Sequence, residues 1–160
     1  MMKALIRSCL VGALWLMPAA QNSSVDLEKE RGELLKLHQQ DRQAHFQTSA
    51  DLLLSHHPVD GFISVSQGKI SRLARAESRK RFETYFKDAK YYEWDDLEMP
   101  IIRISNDGSM AWMIVRLKVR RAQKNSSGAE REEKFVYSGI MTYEKKEGKW
   151  LKVANVSTFE

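Results

Sequence analysis

The chain has 160 residues, of which 42% are hydrophobic and 29% charged, with a formal net charge of +5 and one cysteine, Cys9. That length supports one core, no internal repeat marks a second domain, and the composition is neither disordered nor fibrous. The modest basic excess is interspersed with acids, so no nucleic-acid partner is expected, and one cysteine gives no disulfide framework or thiolate metal site.

Residues 1–20 stand apart. MMKALIR is a short basic start, SCLVGALWLM an apolar run and PAA a small-residue end, the pattern of a secretory signal peptide. The run is too short for a membrane span of about 20 residues, and no second candidate follows, so no integral span is expected in the mature chain. Cys9 precedes the apolar run and does not read as a lipid-attachment site. Cleavage removes Lys3 and Arg7, taking the formal charge from +5 to +3. A secreted or periplasmic protein is expected, with residues 21–26 as a spacer and 27–160 as the domain.

LEKERGELLKLHQQDRQAHFQTSADLLLSHH carries apolar residues at helical spacing, with Asp26 as N-cap and an acidic first turn. The reading is one long helix, a break near Thr48 or Ser49, and a short helix ended by His57-Pro58 and Asp60-Gly61. FISVSQGKI reads as a strand, a turn and a possible return strand, and RAESRKRFETYFKDA as a third helix with Phe82, Tyr85, Phe86 and Ala89 on one face. Period-two strands are predicted near Tyr91 to Ile104, Met110 to Arg121, Lys134 to Glu144 and Trp150 to Thr158. Turn signals at Asn106-Asp107-Gly108, Asn125 to Gly128 and Glu147-Gly148 separate the later ones. Met113, Val115, Leu117 and Val119 share one strand face, while Arg116, Lys118 and Arg120 take the other. Phe135, Tyr137, Gly139, Met141 and Tyr143 lie opposite Val136, Ser138, Ile140 and Thr142, so that strand is apolar or small on both sides, either central or in contact with another subunit.

On the first helix, Leu27, Leu34, His38, Asp41 and His45 share a direction to within roughly 40°, joined by Leu52 if the pitch continues. Leu35, Arg42 and Phe46 border this stripe. Buried imidazole and carboxylate groups persist only if paired, hydrated or lining a cavity. His45 is the candidate acid-base residue and Asp41 its orienting carboxylate, with core histidines satisfied by backbone or water as the alternative. His38 and Phe46 are candidate ligand contacts, as are the aromatics Tyr85, Trp94, Trp112 and Tyr137, which suit a flat ligand. His38 and His45 are about 10 Å apart along the helix, too far to share one zinc ion, so no metal site is expected. His56 and His57 read as structural residues at a helix end, where a cationic imidazole meets the helix dipole. Arg72, Arg75, Arg79, Lys80 and Arg81, interrupted by Glu77 and Glu83, read as a solvated face rather than a polyanion site. Asn22, Asn125 and Asn155 match the glycosylation triplet, a frequent chance pattern. No phosphate loop, nucleotide fingerprint or nucleophile elbow occurs, and no cofactor is expected.

The order of elements, with the hairpin half DGSMAWMIVRLKV and the terminal YEKKEGKWLKVANVS, resembles the SnoaL-like members of the nuclear-transport-factor-2-like superfamily over Leu27 to Phe159. SnoaL-like chains often carry a similar Asp-Gly-Ser turn into a strand. The resemblance implies an α+β cone, in which a curved antiparallel sheet wraps about three helices around a central pocket. It also implies a homodimer formed through sheet surfaces. Its members span isomerases, dehydratases, cyclases and pure binding modules, so fold alone selects no reaction. The expected role is binding of a small apolar or aromatic molecule. A cofactor-free isomerase, dehydratase or cyclase using His45 and Asp41 is the alternative, and a protein-interaction module the second.

Overall fold

The computed structural model describes residues 25–124 and 127–160. The expected leader with Cys9, most of the spacer, the Asn22 triplet and the Asn125-Ser126 part of one turn lie outside the described residues. Helix α1 is Leu27–Phe46, capped by Asp26, whose carboxylate accepts from the Lys29 amide at 3.1 Å. Thr48 breaks it at φ +48°, and Ser49 caps the short helix α2, Ala50–Leu54. The hairpin β1, Phe62–Ser66, and β2, Lys69–Leu73, precedes α3, Arg75–Phe86. Five strands follow: β3 Ala89–Asp96, β4 Ile101–Ile104, β5 Met110–Lys124, β6 Glu130–Lys146 and β7 Lys149–Phe159. Among the described residues no helix is long and apolar enough to cross a membrane.

One seven-stranded sheet runs β2-β1-β7-β6-β5-β3, with β4 also paired to β5. Two points differ from the sequence expectation. The strand expected over Tyr91 to Ile104 is two strands, because Pro100 lacks the N–H a ladder needs and the chain turns there before rejoining β5 as β4. The sheet is mixed rather than wholly antiparallel, since β1 lies parallel to β7, with Val65 opposite Val156. β1 arrives from the helices by a long connection, not by a hairpin from β7, and nothing in its route imposes antiparallel pairing.

The alternation in β5 and β6 sets the interior. Met113, Val115, Leu117 and Val119 face inward opposite Met141, Gly139, Tyr137 and Phe135. Helix α1 lies over this concave side. Arg42 ties it to β3 by donating to the Trp94 carbonyl at 3.0 Å and to Asp95 at 2.7 Å. At its other end buried Glu30 accepts from Lys145 Nζ at 2.5 Å and from Trp150 Nε1 at 2.7 Å. The Lys145 hydrogen bond, outweighing the cost of burial, holds the Glu30 carboxyl below the usual range. The stripe therefore begins on Glu30; Leu27, expected inside, is exposed in the first turn.

Candidate functional site

A cavity of about 770 Å³ lies between the concave face of the sheet and the three helices. Such a volume suits a small organic molecule. Its walls are mostly apolar and aromatic, and its floor is a cluster of ionisable groups carried by α1, the His56-His57 segment and β7.

Asp41 sits at the centre of the floor, 5% exposed. Lys152 Nζ donates to its Oδ2, and His56 Nε2 lies 3.0 Å from its Oδ1. Burial pushes the Asp41 carboxyl up, but the Lys152 ammonium and the His56 ring together hold it well below the usual carboxylate range. Lys152, 6% exposed, faces inward by sharing strand parity with Trp150, and a register shift follows it in β7. Thr142 pairs with Ala154 and Tyr143 with Lys152, leaving Val153 as a bulge. Before the bulge the even residues Trp150 and Lys152 face inward; after it the odd residues Asn155, Ser157 and Phe159 line the cavity. A second bulge, at Tyr92 in β3, lets both Tyr91 and Trp94 point inward.

His45 is held by a different part of Asp41. Its Nδ1 donates to the Asp41 backbone carbonyl at 2.7 Å, which fixes the tautomer and leaves the Nε2 lone pair without a hydrogen bond among the described residues. The ring is caged by Trp94, stacked at 5.0 Å, and by Tyr85, Phe86 and Tyr91, all edge-on within 6.0 Å. Burial, against the pull of the Asp41 carbonyl, lowers its pKa to about 4, so the imidazole is neutral at pH 7. A neutral, tautomer-fixed imidazole accepts a hydrogen bond or a proton. Beside it Lys152 has three ammonium protons and one hydrogen-bond partner among the described residues, which leaves it donors to spare.

The expected residues fall into three groups. Asp41, His45, His38, Tyr85, Trp94 and Tyr137 all line the one cavity. Asp41 and His45 meet, but through the backbone carbonyl; the Asp41 carboxylate is committed to Lys152 and His56 instead. His38, 1% exposed, donates from Nε2 to Asp96 at 2.9 and 3.0 Å and tilts against Trp94 at 5.3 Å. The Tyr137 ring lies flat along its own strand, its hydroxyl only 2.5 Å from where a Cβ on Gly139 would sit. Burial pushes the Tyr137 phenol up to about 12.

Phe46 and Trp112, expected as ligand contacts, are not in the cavity. Phe46 is the last residue of α1, 39% exposed under the Arg42 guanidinium at 4.9 Å, a helical step away from the inward stripe. Trp112 has the opposite strand parity to inward-facing Ala111 and Met113 and stands on the convex face, opposite Thr142 and Arg103. His57 also departs from its expected role as a cation at a helix end. Stacked on Phe62 at 4.4 Å and 4% exposed, it lines the cavity, and burial with the nearby Lys152 charge lowers its pKa to about 2.

The sequence reading missed Lys152, Arg121 and Asn155. Lys152 had a legible signal, a lysine sharing strand parity with the core residue Trp150. Arg121 is held in the wall by Glu133 at 2.8 and 3.0 Å and by the Tyr91 hydroxyl at 3.2 Å. Asn155 is seen only once the Val153 bulge is known. Among the described residues no group of three or more His, Cys, Asp or Glu is arranged to hold a metal ion.

Solved structures place this architecture. An uncharacterised protein with a cystatin-like fold from Caulobacter vibrioides superposes with a TM-score of 0.63 at 17% identity, over 82% of this chain and 90% of that one. An NTF2-like protein from Cytophaga hutchinsonii gives 0.62 at 12%, over 80% and 96%. A putative calcium/calmodulin-dependent kinase II association domain from Exiguobacterium sibiricum gives 0.64 at 9%, over 91% and 98%. The fold is therefore the α+β cone of NTF2-like, cystatin-like proteins. No family model matches the chain, and no curated protein matches it.

Proposed function

We propose that the protein is an exported, SnoaL-like binding module that holds a small, largely apolar or aromatic molecule in its cone. The reading rests on one observation: the cavity is walled by Leu53, Phe62, Phe82, Trp94, Val115 and Leu117, while its polar floor offers one fixed acceptor, His45 Nε2, beside a donor, Lys152 Nζ. A ligand with a hydroxyl or carbonyl at its buried end matches that floor. Apolar walls supply affinity through burial, and the two polar atoms set orientation. Native mass spectrometry of the chain purified without denaturant is expected to reveal a bound small molecule, or N-phenyl-1-naphthylamine to bind and fluoresce. A protein that is empty and refuses that neutral probe overturns the reading.

The second reading is cofactor-free proton transfer, as in isomerisation, dehydration or cyclisation, with His45 as base and Asp41 as its orienter through the backbone. The tautomer lock on His45 favours it, since a positioned neutral imidazole is a competent proton acceptor. A folded His45→Ala variant would then retain ligand but lose turnover, whereas a binding module shows no turnover in either form. Export is tested by sequencing the mature amino terminus, which cleavage would place near residue 21. We also propose a homodimer through the convex sheet face, where apolar side chains stand exposed.

A further inference from the structure

The exposed rim of the cone carries charge that an apolar ligand leaves unused. Besides Lys152 on the floor, four cations line the cavity, Arg81, Arg121, Arg131 and Lys134, against the two rim carboxylates Glu132 and Glu133. Both carboxylates are already matched inside the sheet. Glu133 holds Arg121 at 2.8 Å, and Glu132 Oε1 lies 3.6 Å from both Arg120 and Lys134. Arg81, on α3, and Arg131, on β6, are exposed and have no carboxylate within 4.0 Å among the described residues. Two neighbouring arginines are engaged instead: Arg79 pairs with Asp51, and Arg75 donates to the His57 backbone carbonyl at 3.1 Å. The two unmatched guanidiniums thus come from two different elements and line the same cavity from its exposed side.

On the reading of the cone as a ligand pocket, we propose that its ligand is an amphipathic anion, whose apolar body fills the cone and whose carboxylate, sulfonate or phosphate is held at the mouth by Arg81 and Arg131. A guanidinium suits such a group because its planar fork matches paired oxygens, and it stays charged at any working pH. The floor cannot take this charge. Its ammonium is already neutralised by Asp41, and the His45 and His57 rings are uncharged at pH 7. An anion driven to the bottom would meet the Asp41 carboxylate without compensation, so the charged end belongs at the rim.

The test compares two probes with the same aromatic body, neutral N-phenyl-1-naphthylamine and its sulfonated relative 1-anilinonaphthalene-8-sulfonate, by fluorescence titration of the folded full chain. The sulfonate is expected to bind roughly tenfold more tightly at low salt, the magnitude of two partly exposed charge contacts, and to lose that advantage as salt rises. An Arg81→Gln/Arg131→Gln variant is expected to abolish the preference while leaving the neutral probe's affinity unchanged. Displacement of bound sulfonate by 2-naphthoate but not by 2-naphthyl phosphate would mark a carboxylate ligand, and the reverse a phosphate; either supports the proposal. Equal affinity for the two probes, or a preference that survives in the double variant, overturns it while the pocket reading stands. Binding of neither probe by a protein that carries no co-purified ligand overturns both.

Discussion

At Asp41 two opposing effects act on one carboxylate. Removal from water disfavours its charge, and the Lys152 ammonium with the His56 ring restores it. Cutting one partner leaves the other buried and uncompensated, so Lys152→Met is expected to lower unfolding free energy by about 3–5 kcal/mol. Adding Asp41→Asn to that variant should return much of the loss. Urea denaturation followed by tryptophan fluorescence measures both, and a Lys152→Met protein as stable as the parent would disprove the coupling. The histidines set the pH dependence. His45 and His57 titrate near 6.5 when unfolded but are lowered to about 4 and about 2 when folded, so below pH 6.5 the unfolded chain binds more protons. Stability is therefore complete above pH 7 and falls as pH drops from 6.5 towards 4, by about 1.4 kcal/mol per pH unit for each histidine. The depressed Asp41 carboxyl contributes stability that is fully present above about pH 4 and lost only on further acidification. In urea titrations at successive pH values His57→Leu should halve the slope between pH 6 and 4; an unchanged slope would show that His57 is not buried neutral.

Strand alternation made the β5 and β6 faces legible, and helical spacing brought out the inward stripe with His38, Asp41 and His45. What alternation cannot reveal is where it changes phase. The bulge at Val153 switches β7 from even to odd inward residues, and no residue type in KWLKVANVS marks the switch. Nor does local pattern reveal that Lys152 meets Asp41 across 111 positions of sequence. Phe46 and Trp112 were misplaced for related reasons, one sitting at a helix end and the other on the convex side of its strand. If the phase set by the bulge builds the cavity wall, inserting one alanine after Ala154 should shift the rest of β7 by one residue, turning Val156 and Thr158 inward and Asn155, Ser157 and Phe159 out. Loss of N-phenyl-1-naphthylamine binding is expected, with destabilisation of at least about 2 kcal/mol. An insertion variant that binds the probe normally would mean that the strand absorbs the extra residue in a wider bulge and that its phase does not set the wall.

The whole molecule presents a second surface to explain. On the convex face Ile101, Ile114, Ile140, Val156, Val65 and Ile70 stand in one register row across β4, β5, β6, β7, β1 and β2. Four of them, Ile101, Ile114, Val156 and Ile70, are exposed by 38% to 69%. A single exposed isoleucine needs no partner, but a row that crosses six strands is a contiguous apolar stripe of the sort that marks an interface. A second copy of the chain is the occupant that this shape favours. Two such sheets can stack face to face about a two-fold axis, each stripe covering the other, and a stable pair needs about 800 Å² from each partner. Light scattering coupled to size exclusion is therefore expected to give a dimer at micromolar concentration. Ile114→Glu with Val156→Glu, which places carboxylates in the middle of the row and away from the cone, should yield a folded monomer with unchanged circular dichroism and unchanged probe binding. A parent chain that is already monomeric at that concentration would leave the stripe without its proposed partner, and a double variant that remains dimeric would move the interface to another face of the sheet.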